Sequence, residues 1–329
     1  MLGGADLKKE LRVDPTNNDI IIFARERASR PLDNVKKNMP MEEDDIIKEY
    51  EENCPFCRGN EHQTDDATEE IVVDGQWVAK SIKNKYPIVD MSSDEVFGVH
   101  EVIIESYRHN ANFFNMSEEE FKIMFELYVK RYKYLIGQRG IEYVNLFKNF
   151  LRKSGASLMH PHAQITALSI IPPEIHKELL VAHDYYGWEN TNLYEDIIKD
   201  EKEYKERIVY SGTRFIAIIP SASKNPTEVR IIFNKGVKFE NLDSLDLDEL
   251  SYAFKGIFAN YKKMFGIIPF NIWVHAHPNG IETKEYFNLH IHIFPRKFNY
   301  GGFELSTNMY VSSYPPEDIA KQMRIEEEK

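Results

Sequence analysis

The segment HPHAQ, residues 160–164, sets two imidazoles on either side of a proline and follows them with a carboxamide. Residues two apart in an extended chain point to the same side, so His160, His162 and Gln164 share a face. A neutral imidazole is a good nucleophile toward phosphorus near neutral pH. Attack at the α-phosphorus of a nucleoside diphosphate derivative expels a phosphate ester and leaves the nucleotide on nitrogen. That bond is energy-rich, so the nucleotide passes on to a second phosphate acceptor. Pro161 limits the backbone between the rings. Gln164 can hydrogen-bond a non-bridging phosphate oxygen without adding charge. The turn Ser154-Gly155-Ala156-Ser157 offers backbone N–H groups with little bulk, as an anion cradle needs. A pair of satisfied core histidines is the other reading of the same spacing.

Cys54 and Cys57, in CPFC, are the only two cysteines, which excludes a disulfide framework. The pair reads as a redox couple, half of a zinc site, or a motif without function. Zinc takes four ligands and prefers thiolate and imidazole. With no other thiol in the chain, the second pair has to be histidine. His160 and His109 are the best candidates, closing a structural Cys2His2 set and leaving His162 free for chemistry. On its own, His109 in the polar stretch SYRHNANF reads as an ordinary surface histidine.

These residues need a frame. The chain has 329 residues, 42% hydrophobic and 29% charged, which suits a soluble protein of two domains. A net charge of −12 argues against wrapping nucleic acid, so any phosphate binding must be local. No apolar run approaches a membrane span and the first residues carry no signal-peptide core, so a cytoplasmic location is expected. Strand patterns fall at 20–24, 70–73, 77–82, 101–105, 143–148 and 163–170. A helix is expected over 117–137, opened by Ser117 and Glu120 in capping-box spacing. The second half repeats the order: strands at 214–219 and 229–233, a helix at 247–265, then strands at 271–275 and 288–294, the last carrying HIHIF. Strand–strand–helix–strand–His-x-His thus occurs twice. The polar stretch 172–211 reads as helix plus connection, including EDIIKDEKEYKER as a solvated helical face. The expected fold class is α+β, two halves each an antiparallel sheet with packed helices. The expected domains are 1–182 (catalytic), 183–211 (helical connection) and 212–329.

Taken together, these motifs resemble the galactose-1-phosphate uridylyltransferase family, with its nucleotide-sugar phosphorylase relatives, in the histidine-triad superfamily. The similarity runs over nearly the whole chain: IIFARERASRPLDN, CPFCRGNE, IKNKYPIVD, HEVIIESYRHN, FKN…SGASLMHPHAQI, NLHIHIFPR and GFEL…PPEDIAKQMR. The resemblance implies that Cys54, Cys57, His109 and His160 hold zinc, that His162 takes the nucleotidyl group, and that Gln164 contacts its phosphoryl oxygens. It implies that Asn149, Gly155 and Ser157 line the phosphate pocket, that Arg27, Arg30 and Asn84 contact the nucleotide, and that Glu304 reads the sugar hydroxyls. A second metal, zinc or iron, is implied at Glu178, His275, His290 and His292, with His290 and His292 on one strand face. His100 and His277 match no ligand position and read as structural. A homodimer is implied by the resemblance alone.

The chain departs from the family in places. Where relatives have a glycine after Asn149 it has Phe-Leu-Arg, with Arg152 and Lys153 either adding positive charge at the phosphate pocket or facing solvent. Leu-Ser-Thr-Asn follows Glu304 where relatives have flanking glycines, and the NKY at 84–86 looks more like the phosphorylase and archaeal branches. The leading expectation is a zinc-containing enzyme that moves UMP between hexose 1-phosphates, with UDP-glucose as donor and galactose 1-phosphate as acceptor. The alternatives are a phosphorylase acting on ADP-glucose or a dinucleoside polyphosphate with inorganic phosphate, and a non-catalytic zinc protein that binds nucleotides. The last does not need the His162 nucleophile that the sequence carries.

Overall fold

The computed structural model describes residues 9–29, 48–92, 95–297 and 299–326. Its strands in chain order are β1 (Glu10–Val13), β2 (Ile20–Phe23), β3 (Ala67–Val73), β4 (Gln76–Lys83), β5 (Gly98–Ile104), β6 (Tyr143–Phe150), β7 (His162–Leu168), β8 (Ile208–Ser211), β9 (Phe215–Ile218), β10 (Val229–Phe233), β11 (Phe270–His275), β12 (His290–Pro295) and β13 (Met309–Ser312). Strands β3 to β12 form one ten-stranded antiparallel sheet in the order β3-β4-β5-β7-β6-β11-β12-β10-β9-β8. The order is symmetric about its centre, where β6 pairs with β11, and Phe147 lies opposite Trp273. The repeated strand order of the two halves therefore becomes a continuous sheet with a pseudo-two-fold axis. Two helices along the way are α1 (Glu118–Ile136) and, after it, α2 (Pro173–Glu189), which runs through residue 182. The rest of the polar connecting stretch forms α3 (Leu193–Tyr204) and then β8. α3 buries Leu193, Tyr194 and Ile198 and, against the solvated face expected here, also Glu201, which pairs with Arg207 (2.8 Å).

Alternation along the strands sorts the sheet into two faces. Ile103, Val144, Leu146, Ala163, Ile165, Ile231, Ile272, Val274 and Ile291 lie in one core cluster. They are covered by α1 and by α4 (Ser244–Phe265), whose Phe121, Phe125, Phe254 and Phe258 pack with Phe113 and Phe270. A buried phenylalanine contributes about 1.5–3 kcal/mol, so this aromatic layer holds the helices to the sheet. Each helix is fixed at its start by a capping box. Ser117 Oγ accepts from Glu120 N (3.2 Å) and Glu120 returns the bond to Ser117 N (2.9 Å). In α4 the cap is Asp243 with Asp246, and the helix starts at Ser244, three residues ahead of the start expected from the apolar pattern. The intervening residues of β5, β6, β7, β11 and β12 face the other way. These are His100, Phe147, Asn149, His162, Gln164, Asn271, Trp273, His275, His290 and His292, so the histidines and carboxamides at the centre of the sheet share one face.

Three short strands, β1, β2 and β13, make a separate sheet in which β13 runs parallel to β2. Of these only β2 was expected from the sequence, and β8 was not expected either; each of the missed strands is four residues long. The remaining helices are α5 (Gly302–Thr307) and α6 (Pro316–Met323). No helix among the described residues is long and apolar enough to cross a membrane.

Candidate active site and metal centres

Cys54, Cys57, His109 and His160 come together, each offering a ligand atom within 4.8 Å of the others, and all are buried. Cys57 Sγ lies 3.4 Å from His109 Nδ1 and 3.6 Å from His160 Nδ1. A tetrahedral zinc, with Zn–S of about 2.3 Å and Zn–N of about 2.0 Å, separates sulfur from nitrogen by about 3.5 Å, so the donor set fits that ion. His160 Nε2 donates to the Ser106 carbonyl (2.8 Å), which leaves Nδ1 as the lone pair facing the sulfurs. Burial, and then the neighbouring Cys57, push the Cys54 thiol up to about 12, so a thiolate here needs a cation beside it. Asn60 Nδ2 holds the knuckle by donating to the carbonyls of Cys54 (2.8 Å) and Glu52 (3.0 Å). Phe56, between the two cysteines, meets both the His160 and the His162 rings edge-on at 6.1 and 5.7 Å.

His162 opens β7 beside this cluster. Its Nδ1–H donates to the carbonyl of His160 (2.8 Å), which leaves Nε2 with the free lone pair. Burial pushes its pKa down to about 4, partly opposed by that hydrogen bond, so the ring is neutral at pH 7. The backbone at His162 is anchored from the opposite face of the sheet. Lys148 Nζ donates to the His162 carbonyl (3.1 Å) and pairs with the buried Glu105, which also accepts from Tyr128. Gln164 lies next along the same face, its Oε1 2.9 Å from His100 Nε2. Asn149 Oδ1 accepts from Asn271 Nδ2 (2.6 Å), and a side chain at Gly155 would meet the Asn149 amide. Gly155 has φ +96°, a left-handed backbone that favours glycine. Ser157, Arg152 and Lys153 are exposed on this turn. Asn84 is half-buried within reach of His100.

The structure does not link every expected residue to this network. Arg27 is exposed on the turn Arg25–Ser29, and Glu304 turns back to accept from Gly301 N (2.9 Å). The hydrogen bonds of the described residues tie neither of them to His162 or Gln164. Arg30 lies outside the described residues.

Glu178, His275, His290 and His292 form the second cluster, also within 4.8 Å. Glu178 Oε2 lies 2.9 Å from His275 Nδ1 and 3.3 Å from His290 Nε2. His290 Nδ1 donates to the Asn288 carbonyl (2.8 Å) and His292 Nδ1 to Glu228 Oε1 (2.7 Å). That leaves His290 Nε2, His292 Nε2 and Glu178 Oε1 buried without hydrogen-bond partners. Orphaned acceptors of this kind cost free energy unless a cation satisfies them. One carboxylate and three imidazoles suit zinc or iron. A cavity of about 450 Å³ borders this cluster and reaches Asn149, Asn271 and Trp273. Arg230 holds Glu228 (3.4 Å) and Asp14 (2.8 Å), and its charge helps keep the Glu228 carboxyl down at about 2 against burial.

His100, Glu228, Arg230, Asn271, Lys148 and Glu105 were not singled out as site residues from the sequence. A signal existed for most of them. Polar residues at alternate positions of otherwise apolar strands, as in GVHEVII and EVRIIF, mark a second use for that face. His277, read as structural, is buried with Nδ1 2.6 Å from Thr283 Oγ1.

A family model described as the N-terminal domain of a domain of unknown function (DUF4931) matches residues 35–171. The ADP-glucose phosphorylase of Arabidopsis thaliana is 29% identical over 96% of this chain and 92% of its own length. The galactose-1-phosphate uridylyltransferase of Thermotoga maritima is 24% identical over 96% of this chain and 98% of its own. The crystal structure of the Arabidopsis thaliana phosphorylase with bound ADP-glucose superimposes with a TM-score of 0.83 and 27% identity, covering 96% of this chain and 99% of that one. In sequence and in fold the chain is thus similar to galactose-1-phosphate uridylyltransferases and to an ADP-glucose phosphorylase over nearly its whole length.

Proposed function

We propose that this protein transfers a nucleoside monophosphate, UMP in the leading reading, between hexose 1-phosphates through a covalent intermediate on His162. One observation carries the reading: a buried, neutral imidazole whose Nδ1 is tied to the His160 carbonyl, so that Nε2 is free to attack. The Nε2 lone pair forms a bond to the α-phosphorus of UDP-glucose. The bond from that phosphorus to the bridging oxygen breaks, and its electron pair leaves with glucose 1-phosphate. The leaving group is already a phosphate, so no acid is required. Galactose 1-phosphate then attacks the same phosphorus and the bond to Nε2 breaks. The Nδ1–H bond to the carbonyl spreads the positive charge that the substituted ring acquires. Gln164, Asn149, Gly155 and Ser157 hold the phosphoryl oxygens; Arg27, Arg30 and Asn84 contact the nucleotide, and Glu304 the sugar.

Cys54, Cys57, His109 and His160 would hold zinc as a closed structural set, fixing the strand start on which His162 sits. Glu178, His275, His290 and His292 would hold a second zinc or an iron. The catalytic role falls to residues 1–182, with 212–329 as the second domain, in a cytoplasmic homodimer.

A second reading is a phosphorylase that uses inorganic phosphate on ADP-glucose. It is favoured by the similarity to the Arabidopsis thaliana enzyme over nearly the full length of both chains. Intact-protein mass spectrometry at neutral to mildly alkaline pH, after brief mixing with UDP-glucose or with ADP-glucose, decides between them. A UMP-sized gain that disappears in His162→Gly supports the first reading, and an AMP-sized gain the second. No gain with either sugar nucleotide would sink both.

A further inference from the structure

Gln164 has a carbonyl end and an NH2 end, and only the NH2 end can hold a phosphoryl oxygen. Its orientation is therefore a catalytic variable, and His100 controls it. The Ile88 N–H donates to His100 Nδ1 (3.0 Å). A backbone N–H can only donate, so Nδ1 carries the lone pair and the neutral ring has its proton on Nε2. That proton goes to Gln164 Oε1, 2.9 Å away. Burial lowers the His100 pKa, which keeps the ring in this single-proton form. Asn84 Oδ1 accepts from Tyr86 N (2.8 Å), so its Nδ2 is what faces His100 Nε2 at 3.1 Å. Two donors face each other there, and the Asn84 protons are not used by His100. Asn149 follows the same rule, with Asn271 on its oxygen. Three carboxamides around the cradle thus have their oxygens occupied from within the chain.

Resting on the nucleotidyl-transfer reading, we propose that His100 is a positioning residue. It holds the Gln164 oxygen so that the NH2 group faces the phosphoryl group on His162, and it ties that amide to the loop that carries Asn84. Without the His100 proton, Gln164 can turn its oxygen toward the phosphoryl oxygens, which repel it. The loss falls on the transfer step and not on nucleotide binding, because His100 itself touches no substrate.

The test is a double-mutant cycle on the full-length protein. Single-turnover adduct formation with UDP-glucose and with ADP-glucose is followed by rapid quench, and equilibrium binding of UMP and AMP is measured alongside. His100→Ala is expected to slow adduct formation about tenfold, the loss of one oriented hydrogen bond, with nucleotide affinity within about threefold. His100→Gln, which keeps an N–H near the Nε2 position, should recover the rate to within about threefold. In a Gln164→Ala background, His100→Ala should add less than about twofold. A second full tenfold loss there overturns the proposal, as does a loss of nucleotide affinity that matches the loss of rate. Should His100→Ala fail to fold, the imidazole 15N spectrum of the wild-type protein decides, with His100→Gln to assign the signal. A proton on Nδ1 overturns the proposal whatever the kinetics. A wild-type chain that forms no adduct with either donor overturns the parent reading, and this one with it.

Discussion

His162 and His290 stand at the same place in the two halves of one sheet, and they face different surroundings. His162 lies opposite Ile104 of β5, and His290 opposite Ile232 of β10. Two residues on, Gln164 lies opposite Phe147 and His292 opposite Trp273. Both rings donate Nδ1–H to the carbonyl two residues back, at 2.8 Å in each case. The partner positions correspond too: His100 holds Gln164 in the first half, and Glu228 holds His292 in the second. The backbone delivers the same imidazole, in the same tautomer, to both sites. What differs is what stands in front of Nε2. In the second half Glu178 lies 3.3 Å from it and His275 replaces the amide of Asn149, so the lone pair joins a ligand cluster. In the first half the clustered residue is two positions back, at His160, and Nε2 of His162 stays available. On the proposed reading, one frame yields a nucleophile or a metal ligand according to the residues two positions either side.

Removing each imidazole in turn separates the two roles. His162→Gly is expected to lower adduct formation by at least about 10⁴-fold while keeping both metal equivalents. His290→Gly should keep forming the adduct, within about tenfold, and lose one metal equivalent. Rapid-quench kinetics with metal analysis on the same preparations separates the two. If His290→Gly loses the adduct as completely as His162→Gly, the halves do not divide the work as described.

The opposite face of the sheet gives the next contrast. Lys148 and Glu105 form a buried ion pair behind His162, with Tyr128 on Glu105. The same strand positions in the second half hold Val274 and Phe233, both in the apolar core. Lys148→Met leaves Glu105 buried and unpaired, and should cost about 3–5 kcal/mol in urea unfolding. The double variant Lys148→Met, Glu105→Leu copies the apolar second half and should recover at least half of that loss. Equal instability in the single and the double variant would show that the pair is not the source of the effect.

This contrast also marks how far the sequence can be read. The helix at Ser117 was legible because its capping box is local, and the strand of Val229–Phe233 because its residues are unmistakably β-forming. The residues of the two candidate metal sets were named with the help of motif resemblance, and the structure brings each group of four together. The pairing of Lys148 with Glu105, or of His100 with Gln164, depends on which strands are neighbours and in what register. Alternation within one strand says which face a residue takes, and nothing about its partner 43 or 64 residues away. β1 and β13 were missed for the same reason, since each is four residues long and is made a strand by its neighbour β2.

Proton binding separates the first-half histidine from an ordinary one by a smaller amount. Burial lowers the His162 pKa from the usual 6.5 to about 4. The nucleophile therefore stays unprotonated as the pH falls from 7.5 to 5.5, where an exposed imidazole would lose about tenfold of its neutral form. Stability, unlike rate, does change over this range. The unfolded chain binds a proton near 6.5 that the folded chain refuses until about 4, so the stabilising term is complete above 6.5 and fades as pH falls through that window. Single-turnover rates across this range should be nearly flat. An acid limb with its midpoint near 6.5 would show that His162 is solvated like any surface histidine.

Leu151 offers the smallest effect and a clean sign. It follows Phe150 where β6 turns into the cradle, with φ 69° and ψ 156°, a backbone region that glycine occupies almost alone. Three hydrogen bonds to the Leu151 carbonyl over-determine the conformation: Ser154 N (3.0 Å), Ser154 Oγ (2.8 Å) and Ala156 N (3.3 Å). Truncation to Leu151→Ala removes the partly buried side chain but keeps the Cβ that makes this φ costly. Leu151→Gly removes both. At an ordinary position alanine is the more stable of the two by about 0.4–1 kcal/mol, because glycine gives the unfolded chain more freedom. At residue 151 the order should reverse, with Leu151→Gly more stable than Leu151→Ala by about 1 kcal/mol in thermal or urea unfolding. The ordinary order would mean that the turn relaxes around the side chain, and that the phosphate cradle is not held by the strained carbonyl of residue 151.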